Sequence, residues 1–213
     1  MKLNKNIYNN ALIFFKKRFI ELFGLLLVTF FLVFSYSLAN YSPENSTLIY
    51  KIDGPNTEII FQKYLNFVAD FFLQSFGLMS FFISVSILSW GINLIINKEI
   101  KNLLGKIFYT ILYINLGCLF IYLTNNNSFW LIDNGNSGFL GERSFYFVNK
   151  FYPIIENDFN RILILLLTLI FFVLGSGINL SKIFEKFFIK KNVKTILEET
   201  SYTDNVKDEK VSI

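Results

Sequence analysis

The residues able to do chemistry are few in this chain, and none is spaced for it. The only Gly-Lys pair, Gly105-Lys106, runs into Ile107. The Gly-x-x-x-x-Gly-Lys-Ser/Thr loop that cradles nucleotide phosphates is therefore missing from these 213 residues. There is no histidine for acid/base work and no Gly-x-Ser-x-Gly elbow to present a nucleophile. The single cysteine, Cys118, can close no disulfide within the chain and joins no Cys/His metal cluster. It lies in an apolar run and reads as a small packing residue, because a reactive thiol needs an electropositive, partly wet site. Asp70 adjoins an apolar run, and its place at the outer edge reads as a solvated helix residue and not an ion site. Asn93, Asn115 and Asn179 are the polar residues available for a path through apolar segments. No enzyme, cofactor or metal is expected.

The elements explain this poverty. Four stretches carry no Asp, Glu, Lys or Arg: Leu22–Pro43, Phe71–Asn97, Ile107–Ile132 and Ile162–Ser181. Each is rich in Leu, Ile, Phe and Val, and about 20 such residues in a helix cross the ~30 Å hydrocarbon layer of a bilayer. The chain is 53% hydrophobic and 17% charged, against about 25% charged in soluble domains. The predicted fold class is all-α: a polytopic membrane protein with four transmembrane helices. The predicted organisation is a basic amphipathic lead-in over 1–18, a membrane domain over 19–190 and a disordered polar tail over 191–213. The spans fall at about 22–40, 71–96, 107–124 and 162–181, with outer loops over 41–70 and 125–161. A cleaved secretory signal is a poorer reading of the first run, since a signal core is about 7–15 residues and this run is longer.

Positive charge sets the orientation. Fifteen Lys and Arg lie before span one, between spans two and three, and after span four; five lie in the other two loops. Acidic residues divide eight and eight, so the two sides carry +7 and −3. Lys and Arg resist translocation, which places the richer side and both termini in the cytoplasm. The same residues suit contact with anionic lipid head groups, and the lipid bilayer is the first expected partner. They do not alternate with aromatics along a basic groove, so direct nucleic-acid binding is not indicated.

Local patterns refine the map. From Thr57 apolar residues repeat at three and four positions, which predicts one helix from about 57 to 96. Gly77, Ser80, Ser84 and Gly91 share a stripe on it, and small residues let helices approach closely in lipid. Trp90 reads as an interface anchor. Asn115, mid-span, needs a hydrogen-bond partner on a neighbouring helix. Gly175 and Gly177 permit close packing or a bend near the inner end of span four. The aromatic stretch from Phe139 to Tyr152 is too short to span and predicts a short interfacial or re-entrant helix on the outer leaflet, ended by Pro153.

Three places carry a family likeness. Ser35-Tyr36-Ser37 and Tyr41-Ser42-Pro43 close span one. Gly54-Pro55 precedes Ala69-Asp70, Gln74 and Phe76-Gly77 at the start of span two. Gly138-Phe139-Leu140-Gly141 precedes the last span, and Trp90-Gly91 adds to these. Over residues 10–190 the chain resembles the amino-terminal membrane domain of FtsK/SpoIIIE-type DNA translocases. The resemblance implies four spans, cytoplasmic termini, the inner membrane at the division septum, division-site proteins as partners and a homo-oligomer, a hexamer in that family. It also implies DNA handled only through an ATP-driven motor that these residues do not contain. The expected role is a non-catalytic anchor and assembly module. A small membrane transporter component and an unrelated membrane scaffold are the alternatives.

Overall fold

Where hydrocarbon replaces water, each backbone polar group needs an internal partner, and helices supply one locally. A computed structural model describes residues 2–43, 60–99, 102–128, 130–131 and 134–178. All regular structure among these is helical: α1 (Lys2–Ala39), α2 (Ile60–Phe76), α3 (Met79–Asn97), α4 (Leu103–Asn125), α5 (Gly138–Phe151) and α6 (Asp158–Ser176). Four helices are long and apolar enough to cross a bilayer: α1 from Tyr8, α3, α4 and α6. The fifth short helix expected between the last two spans is α5. Gly54, Pro55, the loop before Ile60 and the tail over 191–213 lie outside the described residues.

The helices pack as two pairs, α1 along α3 and α4 along α6, with α5 against α4 and α2 against α1 and α5. Leu22, Leu25, Leu26 and Leu32 of α1 and Ile162, Leu166 and Ile170 of α6 face outward. Ser80, Ser84, Ser86, Thr168 and Ser176 are buried. This arrangement of apolar outside and small polar inside fits lipid as the surrounding medium. At 38 residues, α1 is about 57 Å long, well beyond the ~30 Å apolar layer. No Gly or Pro stands between Lys2 and Phe23 to turn it, so the basic lead-in continues straight into the span. Its Glu21 pairs with Arg18 at 2.7 Å and with Lys98, just past α3, at 3.4 Å. The end marked by Arg18, Lys98 and Lys106 is called the basic end below.

One expectation is corrected. The helix expected over 57–96 is two helices, broken at Gly77-Leu78. Gly77 takes φ +55, the left-handed conformation that ends helices, and its N–H donates to Leu73 O at 2.7 Å. The freed N–H of Leu78 donates 2.9 Å to Asn136 O, from the loop before α5. Residues 179–181 of the expected last span, 162–181, lie outside the described residues, and the helix of that span covers Asp158–Ser176. The Asn157 side chain caps it by accepting from Phe159 N, Asp158 suits the positive end of the helix dipole, and Gly177 at φ +67 terminates it.

Candidate functional site

No described residues gather as a reaction centre, and among them no three His, Cys, Asp or Glu could hold a metal. What the sequence builds instead is a set of directed hydrogen bonds centred on α3. Six of its side chains each reach another element. Ser80 Oγ donates to Phe72 O of α2 at 2.8 Å, across the helix break. Ser84 and Ser35 of α1 share a hydroxyl bond at 2.6 Å. Ser86 and the Tyr113 hydroxyl of α4, both buried, do the same at 2.8 Å. Toward the basic end, three α3 residues turn to α6. Ser89 Oγ donates to Ser176 O and Trp90 Nε1 to Gly175 O, each at 2.8 Å, and Asn93 Nδ2 donates to Gly177 O at 3.3 Å.

The last three bonds have a clear physical cause. The final carbonyls of a helix have no partner within it, and a carbonyl orphaned in hydrocarbon costs several kcal/mol. Ser89, Trp90 and Asn93, one turn of α3, supply the donors that α6 lacks. Trp90, which the sequence pattern makes an interface anchor, turns its N–H inward to α6. Trp90→Phe removes one donor while keeping most of the ring. The expected loss is about 1 kcal/mol of unfolding free energy, within the range for interhelical hydrogen bonds in membranes, measured by equilibrium denaturation in mixed micelles. An unchanged midpoint would count against the inward N–H.

On its opposite side α3 meets α1 through backbone. A methyl group on Gly91 would lie 2.9 Å from Gly24 O, and one on Gly24 would lie 2.9 Å from Gly91 O. Gly175 similarly abuts Thr110 of α4, where a methyl would stand 3.0 Å from the Thr110 N. Asn115 finds partners in Ile111 O at 3.3 Å and in the Ser144 hydroxyl of α5, which donates to Asn115 Oδ1 at 3.2 Å. Asn115 stands ten residues from the end of α4, about 15 Å along the axis. α5 therefore runs down beside α4 instead of staying at its tip.

The far end of the bundle is an asparagine-rich junction. The Asn136 side chain donates to Asn127 O at 2.8 Å and to Asn125 O at 3.2 Å, and its backbone N–H donates to Asn126 O at 3.0 Å. Asn126 Oδ1 accepts from Ser137 N at 3.0 Å, and Asn134 Nδ2 donates to Gln74 Oε1 at 2.8 Å. The loop so braced presses on the break between α2 and α3. Gly138 takes φ +64, and a methyl there would stand 2.5 Å from Gly77 N and 2.7 Å from Phe76 N. Beneath it, Cys118 Sγ donates to Phe76 O at 3.4 Å, and a methyl on Gly141 would stand 2.8 Å from Cys118 O.

Asp70 departs from its expected place. It is only 4% exposed and accepts from the Tyr41 hydroxyl at 2.8 Å, beside a core of Phe34, Leu38, Ala69, Leu73 and Leu131. The turn closing α1 thus reaches over α2, with Ser37 Oγ donating to Leu65 O nearby. Tyr41→Phe takes a donor from a buried carboxyl group, and a loss of roughly 1–2 kcal/mol is expected in the same denaturation assay. No change would mean that water reaches Asp70.

This order of elements can be compared with known families. The family described as the 4TM region of DNA translocase FtsK/SpoIIIE matches residues 16–188. The chain belongs to this family. Comparison with curated proteins and with solved structures returned no match. Membership makes the chain the membrane-embedded part of an FtsK/SpoIIIE-type translocase. In this FtsK/SpoIIIE 4TM region the candidate motif residues Asp70, Gln74, Phe76, Gly77, Gly138 and Gly141 meet at the junction or in the α2 packing beside it. Trp90 serves the opposite end. Sequence reasoning gave no hydrogen-bonding role to Ser35, Ser86, Ser89, Tyr113, Asn126, Asn134 and Asn136. A signal for two of them was present: Ser86, Ser89, Trp90 and Asn93 fall at i, i+3, i+4 and i+7, one helix face.

Proposed function

We propose that this chain is a non-catalytic anchor and assembly module of an FtsK-type DNA translocase, inserted in the bacterial inner membrane at the division septum. The observation that carries the proposal is the family match over residues 16–188 on four apolar helices. Six polar side chains of α3 are engaged in holding it to other elements. Of the three residues a transport path would need, Asn93 and Asn115 bond to backbone and to Ser144, and Asn179 lies outside the described residues. The basic end faces the cytoplasm, where Lys and Arg are retained. The asparagine-rich junction faces outward toward division-site proteins. Copies of the chain assemble as a homo-oligomer, and DNA is moved by a motor domain outside these residues.

A fluorescent fusion in dividing cells tests this. Enrichment at midcell is expected, and a uniform peripheral signal would refute the septal role. Reporter fusions at Ser46 and Ser137 test orientation separately: both are expected outside, and a cytosolic signal at either would reverse the topology.

A further inference from the structure

The two helix pairs part at the basic end and leave a cleft of about 300 Å³. Phe23 and Leu27 of α1, Leu94 of α3 and Leu103 of α4 give it apolar walls, while Asn93 and Lys106 bring polar groups to it. The Lys106 ammonium stands at the end of α6: a methyl on Gly177 would lie 3.1 Å from Lys106 Nζ. Ion pairs among the described residues engage Arg18, Lys98 and Arg161 but not Lys106. The α6 carbonyls beside it already accept from Ser89, Trp90 and Asn93.

We infer that this cleft is a binding site for one anionic phospholipid, its acyl chain between Phe23, Leu27, Leu94 and Leu103 and its phosphate on Lys106. An apolar slot in a membrane-spanning bundle has lipid as its neighbour, and Lys106, the cation among its lining residues, favours a negative head group on its own side. Basic pockets between transmembrane helices hold such head groups. Glu99 also lines the cleft, so the phosphate is assigned to the Lys106 side. The inference rests on the membrane reading. It depends on the proposed orientation only for the supply of anionic lipid, since that lipid is concentrated in the cytoplasmic leaflet.

The test uses the full chain in detergent micelles, with phosphatidylglycerol or phosphatidylcholine added and bound lipid counted by native mass spectrometry. One phosphatidylglycerol per chain is expected, held in preference to phosphatidylcholine. Lys106→Gln should weaken its retention about fivefold, the factor given by ~1 kcal/mol per basic group. Leu103→Trp, at the exposed first residue of α4, should fill the cleft and remove the lipid while the lipid-free denaturation midpoint stays unchanged. Equal binding of phosphatidylcholine would overturn the inference. So would phosphatidylglycerol binding that neither variant alters, or displacement of the lipid by free glycerol phosphate. Because the assay needs neither septum nor orientation, its failure would leave the division-site proposal standing.

Discussion

Replacing Gly77 by valine is expected to lower the unfolding free energy by about 3 kcal/mol or more. Two costs combine. Gly77 sits at φ +55, where a residue with a side chain loses roughly 1–2 kcal/mol. Its first carbon would also stand 2.6 Å from the Asn136 carbonyl carbon and closer still to the oxygen. Both groups are backbone, so the loop must retreat and the 2.9 Å bond from Leu78 to Asn136 is lost with it. The reporter is built in. Cys118 is the only thiol, is fully buried and lies under the break, 3.4 Å from Phe76 O. A maleimide should label it about two orders of magnitude faster in the variant, the factor that ~3 kcal/mol gives when local opening limits the reaction. Gly77→Asn separates the two costs, since asparagine tolerates the left-handed conformation but still carries the clashing carbon. It should label at an intermediate rate. Equal rates for all three proteins would sink the idea that Asn136 imposes the break.

Leucine at Gly91 should cost roughly 2–4 kcal/mol, and here the clash lies between helices. Gly91 and Gly24 each leave no room for a methyl group beyond 2.9 Å from the other's carbonyl oxygen. In hydrocarbon the drive for helices to associate comes from close packing and hydrogen bonds, not from excluding water. Pushing α1 off α3 forfeits that contact and strains the 2.6 Å Ser35–Ser84 bond higher on the same seam. Equilibrium unfolding in mixed micelles measures the loss. The double variant with Gly24→Leu should cost clearly less than the two single losses together, because the first leucine already parts the helices. Full additivity would show that the two glycines do not face each other.

Much of this could be read from the chain because lipid applies a simple rule: charge stays out of the spans. The four spans, the α5 helix and the need for partners at Asn115 all follow from it. The rest depends on contacts distant in sequence. Gly77 stood in a stripe of small residues, which suggests a packing face on an unbroken helix. Its left-handed turn is demanded by Asn136, and nothing near Gly77 announces that loop. Asp70 looked solvated because it borders an apolar run, and only Tyr41 folding back over α2 buries it. The six hydrogen-bonding residues of α3 divide between two faces. Attention to small residues picked out the face toward α1 and passed over the one toward α4 and α6.

The capping of α6 by α3 has a consequence for biogenesis. Trp90 and its acceptor Gly175 are 85 positions apart. At translation rates of about 5–20 residues per second, α3 leaves the ribosome roughly 4–17 s before the end of α6 exists. Through that interval Ser89 and Trp90 have donors but no native acceptor, and Asn93 has only the Ser89 hydroxyl. The insertion machinery or trapped water must shelter them, and the nascent bundle cannot lock until α6 arrives.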